Sequence, residues 1–213
     1  MKKAGWLAMT CALMAGLMLA GCLPVAAIVG GATVGSVNDR RTSGTQIDDE
    51  GIELRASNRI SERFGDRVHV NVTAFNRSVL LTGEVPNEAA KAEIEKLAGG
   101  VVGVRGVTND LAVAGSSALT SRANDTYLTS KVKARFVDVN HFNPFHVKVV
   151  TENSTVYLIG LVTDAEAKSA TDIARTTGGV RKVVRLFEYC KLGDEVCRGS
   201  SPRADQQRAP GKQ

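Results

Sequence analysis

The sequence predicts an α+β fold of two tandem small domains, each running α, β, β, α, β, behind an N-terminal secretory segment. Three observations carry this expectation. The stretch LTGEVPNEAAK at 81–91 is answered by LIGLVTDAEAK at 158–168, and GVRGV at 103–107 is answered by GVRKV at 179–183. Ahead of both pairs, the apolar spacing changes from a helical to a strand period in the same order. The first twenty residues follow a different pattern altogether, that of an export signal.

That signal comes first in the chain. Met1, Lys2 and Lys3 form a short positive region, and Ala4 to Ala20 is apolar and uncharged. It ends in Leu19, Ala20, Gly21 and Cys22, which resembles a bacterial lipobox: two small residues admit the peptidase, and the Cys22 thiol receives a diacylglycerol. Residues 1–21 are therefore expected to leave, and Cys22 to carry diacylglycerol and an N-acyl chain. The competing reading is an uncleaved transmembrane anchor. Pro24 and the glycines Gly30, Gly31 and Gly35 weaken any continuous helix there. Each buried CH₂ of an acyl chain contributes roughly 0.8 kcal/mol, so two or three chains hold a protein on a bilayer. Leu23 rather than Asp after the cysteine points to the outer membrane under enterobacterial-type sorting. Residues 22–45 are rich in small residues without a clean period and read as a lipidated tether.

The first domain is expected over 46–114. Asp48, Asp49 and Glu50 sit where a helix N-terminus favours acids, and Ile52, Ala56 and Ile60 make one narrow apolar stripe. Val68, Val70 and Val72 alternate with polar residues as a half-buried strand. Phe75, Asn76 and Arg77 turn into a second strand from Ser78 to Val85, with Gly83 ending or kinking it. Asn87 caps a helix to Ala98 with Ala90, Ile94 and Leu97 inward, Gly99 and Gly100 stop it, and Val104 to Val113 is a third strand. Each sheet is thus three-stranded and mixed, packed by two helices.

The second domain, 124–190, repeats the order after a small polar linker at 115–123. Leu128, Val132 and Phe136 take the stripe positions of Ile52, Ala56 and Ile60. Val147 and Val149 match Val70 and Val72, Val156 to Val162 is the return strand, and Thr163 or Asp164 caps a helix through Arg175. Gly178 and Gly179 stop that helix before a last strand to Tyr189. The second copy is one residue shorter between the anchors, a loss expected inside or just after its second helix. Each copy spans about 65 residues, near the lower size for a domain that folds alone. Residues 191–213 form a C-terminal tail.

Composition narrows the chemistry. The 213 residues are 43% hydrophobic but only 5% aromatic, which fits two small aliphatic cores better than one large one. The formal charge of +5 lies mostly at the ends, in Lys2 and Lys3 and in a tail holding Arg198, Arg203, Arg208 and Lys212 against Asp205. A nearly neutral body argues against nucleic acid as a partner. No nucleophile elbow, phosphate loop or metal-ligand spacing is present in the sequence, so neither an enzyme, a cofactor nor a metal is expected. Of the three histidines, His69 reads as solvated on the polar face of its strand. His141 and His146 bracket Pro144 in a loop before a strand. Cys190 and Cys197, an even pair in an oxidising compartment, are expected to close a short disulfide loop.

The repeated L-x-G-x-V, a helix with Ala-Lys near its start and G-V-R-x-V is similar to the BON domain. Two copies behind a lipobox, with DRRTSGTQIDDEGIEL before the first and NDTYLTSKVKARF opening the second, resemble the dual BON-domain outer-membrane lipoproteins of Gram-negative bacteria. Asn109 fits that pattern in the first copy, whereas Arg185 departs from it in the second. The resemblance implies a periplasm-facing, non-enzymatic protein that associates with anionic phospholipid, supports envelope integrity and leaves envelope or division proteins open as further partners.

The first helices of the copies differ in what they expose. Tyr127, Lys131 and Arg135 fall on one stripe beside the buried one, where the first copy has Gly51, Arg55 and Arg59. Lys133 adds a further cation. One reading makes this a solvated face with Tyr127 packed on a neighbour. The other makes Tyr127, Lys131, Arg135 and Lys133 a phospholipid-binding set, the tyrosine acting as an interfacial anchor with one end apolar and the other wet. A protein-protein or peptidoglycan-binding module is the alternative of a different class.

Overall fold

The computed structural model describes residues 39–191 and 193–198. The signal segment, Cys22, most of the tether and the tail from 199 lie outside the described residues.

The first repeat opens with helix α1, Ser43–Phe64, whose N-cap Thr42 accepts a hydrogen bond from the Thr45 amide at 3.1 Å. The helix starts ahead of the acids expected to mark its N-terminus, and this places Asp49 in an interior turn, buried with Ile52, Ala56, Ile60 and Phe64. Strands β1, His69–Phe75, and β2, Ser78–Val85, form an antiparallel hairpin. Helix α2, Glu88–Gly99, follows its N-cap Asn87. The third strand runs parallel to β2 but in two pieces, β3 at Gly106–Asn109 and β4 at Ala112–Val113.

Helix α3, Leu119–Val139, opens the second repeat and buries Asp125, Leu128, Val132 and Phe136. Its start at Leu119 shortens the expected linker. Strands β5, Val147–Glu152, and β6, Thr155–Val162, make the second hairpin. Helix α4, Asp164–Arg175, begins with a complete capping box between Thr163 and Glu166. Strand β7, Lys182–Tyr189, lies parallel to β6 without a break, and a short helix α5, Glu195–Arg198, closes the described chain.

Two sequence-based details change. Val85 and Val162 end the return strands, while Asn87 and Thr163 cap the helices that follow. Pro86 is therefore the residue without a counterpart, so the length difference lies before the second helix rather than within or after it. Gly83 does not end its strand. It pairs with Val70 in mid-ladder, and a Cβ there would lie 2.0 Å from the His69 carbonyl oxygen. Gly160 meets the His146 carbonyl in the same way at 2.2 Å. Both hairpins need a residue without a side chain at that point.

The departure at Arg185 also has a structural expression. Asn109 turns its side chain back, accepting from the Leu111 amide at 3.2 Å and donating to the Lys91 carbonyl at 3.1 Å. The strand is interrupted there, and Leu111 drops into the core. Arg185 offers no such local acceptor, and β7 runs on through it.

Each hairpin is locked to the first helix of its repeat. The central turn residues Asn76 and Arg77 have φ of 48° and 67°, and Asn153 and Ser154 have 47° and 59°. This is the tight turn whose twist matches the flanking strands. Its amides are met by a buried carboxylate. Asp49 accepts from Asn76 and Arg77, both at 2.7 Å, and Asp125 accepts from Asn153 at 2.9 Å and Ser154 at 2.8 Å.

The helices cover one face of each sheet, and the opposite faces meet each other. Phe75 and Leu80 of the first domain cluster with Tyr157 and Ile159 of the second, flanked by Val150, Leu161, Val184 and Leu186. Polar contacts border this seam. Tyr157 donates to Asp110 at 2.6 Å, Asn76 to Glu188 at 2.5 Å, and Lys148 to Glu53 at 2.8 Å. Burial and the Asp110 carboxylate together raise the Tyr157 phenol above its ordinary range.

The segment before α1, expected to be tether, straddles both domains. Arg41 bonds Asp49 at 2.7 Å and stacks 4.1 Å over the Phe75 ring in the first domain. Arg40 bonds Glu166 at 2.6 and 3.1 Å, the Leu161 carbonyl at 3.0 Å and the Cys197 carbonyl at 2.9 Å in the second. Cys190 and Cys197 are disulfide-linked, with Cα atoms 5.7 Å apart, and the closed loop presents that last carbonyl. Burial alone would push Glu166 upward. Hydrogen bonds from Arg40, the Thr163 amide and His146, with the Arg40 charge, outweigh it and bring the carboxyl down to about 2.

Two outcomes are expected. Asp125→Ala leaves two turn amides without their acceptor and should cost roughly 2 to 3 kcal/mol. It should also speed hydrogen exchange at Asn153 and Ser154, and an unchanged denaturation midpoint would refute the lock. Arg40→Ala should cost roughly 2 kcal/mol at pH 7. Because the Glu166 carboxyl is lowered from 4.5 to about 2 in the fold, its share of that difference is complete above pH 4.5. The gap between wild type and variant should narrow as pH falls from 4.5 toward 2, and a gap constant across that window would contradict the pairing.

Candidate functional site

Helix α3 turns one stripe to the core and leaves the opposite side open. Tyr127 is 62% exposed and Val137 61% exposed, with exposed Ser130 and Ala134 between them on the same side of the helix. Lys131 and Lys133 flank this strip on either side. The result is a narrow strip of Tyr127, Ser130, Ala134 and Val137 with a lysine at each margin and the exposed Asp138 at its end, on a helix held by its buried stripe and by a left-handed C-cap at Asn140, φ 50°.

The four residues expected to bind phospholipid do not share one environment. Tyr127 stands free of any core. The Lys131 amine donates to the Gly178 carbonyl at 3.0 Å and lies 5.8 Å from the centre of the Tyr127 ring. Lys133 is exposed and makes no hydrogen bond or ion pair with a described residue. Arg135 belongs to the fold instead. Its guanidinium donates to the Ile173 carbonyl at 2.8 Å and to the Thr177 and Thr176 hydroxyls at 2.7 and 3.2 Å. A helix C-terminus leaves carbonyls unsatisfied and carries partial negative charge, so a cation one turn from Lys131 is drawn onto the end of α4. Sequence spacing placed Arg135 beside Lys131 on α3 but could not reveal that acceptor, which lies on another element.

Val137 was not singled out from sequence, although the signal was there. The first repeat carries Ser61 at the matching position, as it carries Gly51 for Tyr127 and Ser57 for Lys133. The first repeat does expose Leu54, at the position matching Ser130, with Arg55 beside it, so the two outer faces differ in Tyr127, Val137 and Lys133 rather than in having any apolar or cationic residue at all.

The histidines also differ from their sequence reading. His69 is not solvated: its side chain is 19% exposed, and its Nδ1 lies 2.9 Å from Glu84 on the neighbouring strand. His146 stands 3.0 Å from Glu166, and the exposed His141 lies 3.4 Å from the Ser169 hydroxyl. These partners are 15, 20 and 28 residues away along the chain, so no local motif announces them.

The BON domain matches the chain twice, at residues 48–115 and 124–191. The outer membrane lipoprotein DolP of Haemophilus influenzae is 39% identical over 177 residues, covering 81% of this chain and 91% of that protein. The 21 kDa hemolysin of Actinobacillus pleuropneumoniae is 33% identical over 153 residues, covering 71% and 79%. Osmotically-inducible protein Y of Escherichia coli is 36% identical over 118 residues, covering 54% and 58%. Among the described residues no helix is long and apolar enough to cross a membrane. Two matched domains in the α, β, β, α, β order, with this identity over most of its length, show that the chain belongs to the BON-domain family as a dual BON-domain outer-membrane lipoprotein.

Proposed function

We propose that this lipoprotein, anchored through acylated Cys22 and facing the periplasm, binds anionic phospholipid with the outer strip of α3 and so supports outer-membrane integrity. The observation that carries the reading is the exposed Tyr127 and Val137 between Lys131 and Lys133; the first repeat exposes Leu54 beside Arg55 on the matching face but has no aromatic ring there. An aromatic ring with a polar tip suits the boundary between headgroups and acyl chains. Each lysine near an anionic surface contributes about 1 kcal/mol. The strip alone is then a weak binder, and the lipid anchor supplies the high local concentration that makes it effective. The first repeat, with Gly51 in place of the tyrosine and Ser61 in place of Val137, serves as the packed support for the second.

Two experiments bear on this. Cys22→Ser should give an uncleaved or soluble form, and unchanged membrane partitioning with unchanged mature mass would end the lipid-anchor reading. For the strip, binding of the unlipidated chain is compared on vesicles of phosphatidylcholine alone and with phosphatidylglycerol. Binding should require the anionic lipid and weaken with salt. Tyr127→Glu and Lys133→Glu should each reduce it several-fold without unfolding the protein, while Gly51→Glu leaves it intact. Lys133 is the cleaner charge test, because Lys131 and Arg135 also hold Gly178 and the end of α4. Undiminished binding by folded Tyr127→Glu protein, or no preference for anionic vesicles, would redirect the strip to a protein or peptidoglycan partner.

A further inference from the structure

The junction of the two domains contains a second set of side chains that the lipid-binding strip does not involve. His69 and Glu84 stand directly opposite each other in the first hairpin, and Glu152, the last residue of β5, reaches them from the second domain. One donor atom from each lies within 4.8 Å of the others. The Glu84 and Glu152 side chains are more than nine-tenths buried. They line a cleft of about 380 Å³ together with Asp110 and Lys182.

The charges of this cluster are poorly matched. Among the described residues neither glutamate forms an ion pair with a lysine or arginine. Glu84 is held by His69 and by the Ser117 amide at 3.2 Å, and Glu152 by the Asn71 side-chain amide at 2.7 Å. Asp110 is committed to the Tyr157 hydroxyl and Asp125 to its turn amides. Burial raises the Glu152 carboxyl. Asn71 and His69 oppose that, and the nearby Glu84 and Asp125 charges add to it.

The second repeat pairs its equivalent histidine with a different carboxylate, on a helix rather than on the neighbouring strand, where Leu161 takes the place of Glu84. His146 takes the position of His69, as their shared contact with Gly160 and Gly83 shows. Its partner Glu166 is gripped by Arg40. Among the described residues the pair of His69 and Glu84 has no such arginine, and Glu152 lies beside it instead.

We propose that His69, Glu84 and Glu152 form a binding site for one divalent transition-metal ion of the Zn²⁺ class, joining the two domains across their seam. One imidazole nitrogen and two carboxylates are ordinary ligands for such an ion. Tetrahedral bonds of about 2.0 to 2.1 Å place ligand atoms roughly 3.3 Å apart, a closure that side-chain rotation within the cleft can supply. A water completes the set. The ion binds neutral imidazole and ionised carboxylates, so any proton held on Glu152 leaves to solvent.

The test uses the full chain in detergent micelles, stripped with chelator and titrated with Zn²⁺ by calorimetry, with thermal unfolding followed in parallel. One saturable site per chain and a higher unfolding midpoint are expected. Glu84→Gln and Glu152→Gln should each weaken binding at least about tenfold, while His141→Gln, in an exposed loop, leaves it unchanged. Without metal, Glu152→Gln should unfold no lower than wild type, since it removes a buried charge and keeps an acceptor for Asn71; only wild type should gain on adding Zn²⁺. Imidazole NMR of the wild-type chain gives a readout independent of variant folding: Zn²⁺ should shift His69 and leave His141 and His146 in place. Absence of a saturable site, binding undiminished in both folded glutamine variants, or an unmoved His69 would overturn the proposal.

Discussion

A buried aspartate on the first helix of each repeat grips the turn of the hairpin that follows, and the rest of the fold is arranged around that contact. Asp49 and Asp125 each satisfy two amides of a turn whose residues have positive φ. A buried amide left unpaired costs roughly 1 to 3 kcal/mol, so the carboxylate fixes where the helix sits along the sheet. Once that is set, Ile52, Ala56 and Ile60, or Leu128, Val132 and Phe136, must face the hairpin. The opposite side of the helix is then free for other uses. In the first repeat it carries Leu54 among small and charged residues; in the second it carries Tyr127 and Val137.

The same contact extends to the seam between the domains. Asp49 also receives Arg41, whose guanidinium lies over Phe75, a member of the apolar cluster between the two sheets. One residue earlier Arg40 enters the second domain and holds Glu166, the carboxylate of the α4 capping box. Adjacent arginines thus bind one domain each. The seam is bordered by ion pairs and hydrogen bonds around an aliphatic and aromatic centre, the pattern expected where two small domains are to behave as one body.

Much of this was legible in the sequence because it depends on local periodicity. The repeated order, the stripes of both first helices, the hairpins and the caps at Asn87 and Thr163 all follow from spacing and turn chemistry. What was missed depends on contacts between distant segments. Asp49 read as a helix-terminal acid, since only the folded hairpin shows what it and Asp125 accept. Arg135 read as a surface charge until the end of α4 came beside it. The packing of sheet on sheet left a trace in Val156 to Val162, a nearly unbroken apolar run. Such a run suits a strand covered on both faces, whereas strict alternation suits one face open to water.

Arg40 and Arg41 also fix where the chain enters the two-domain body. The described chain begins at Asp39 and reaches the body through the pair of arginines that spans the seam, rather than through the free end of one domain. Arg40 and Arg41 therefore couple this entry point to both domains at once. The exposed side of α3 has its orientation set by the whole two-domain body rather than by a single domain. Rigid presentation of an exposed face reduces the orientational freedom that face would lose on any binding event. The seam therefore sets how the α3 strip is presented even though none of its residues belongs to that strip.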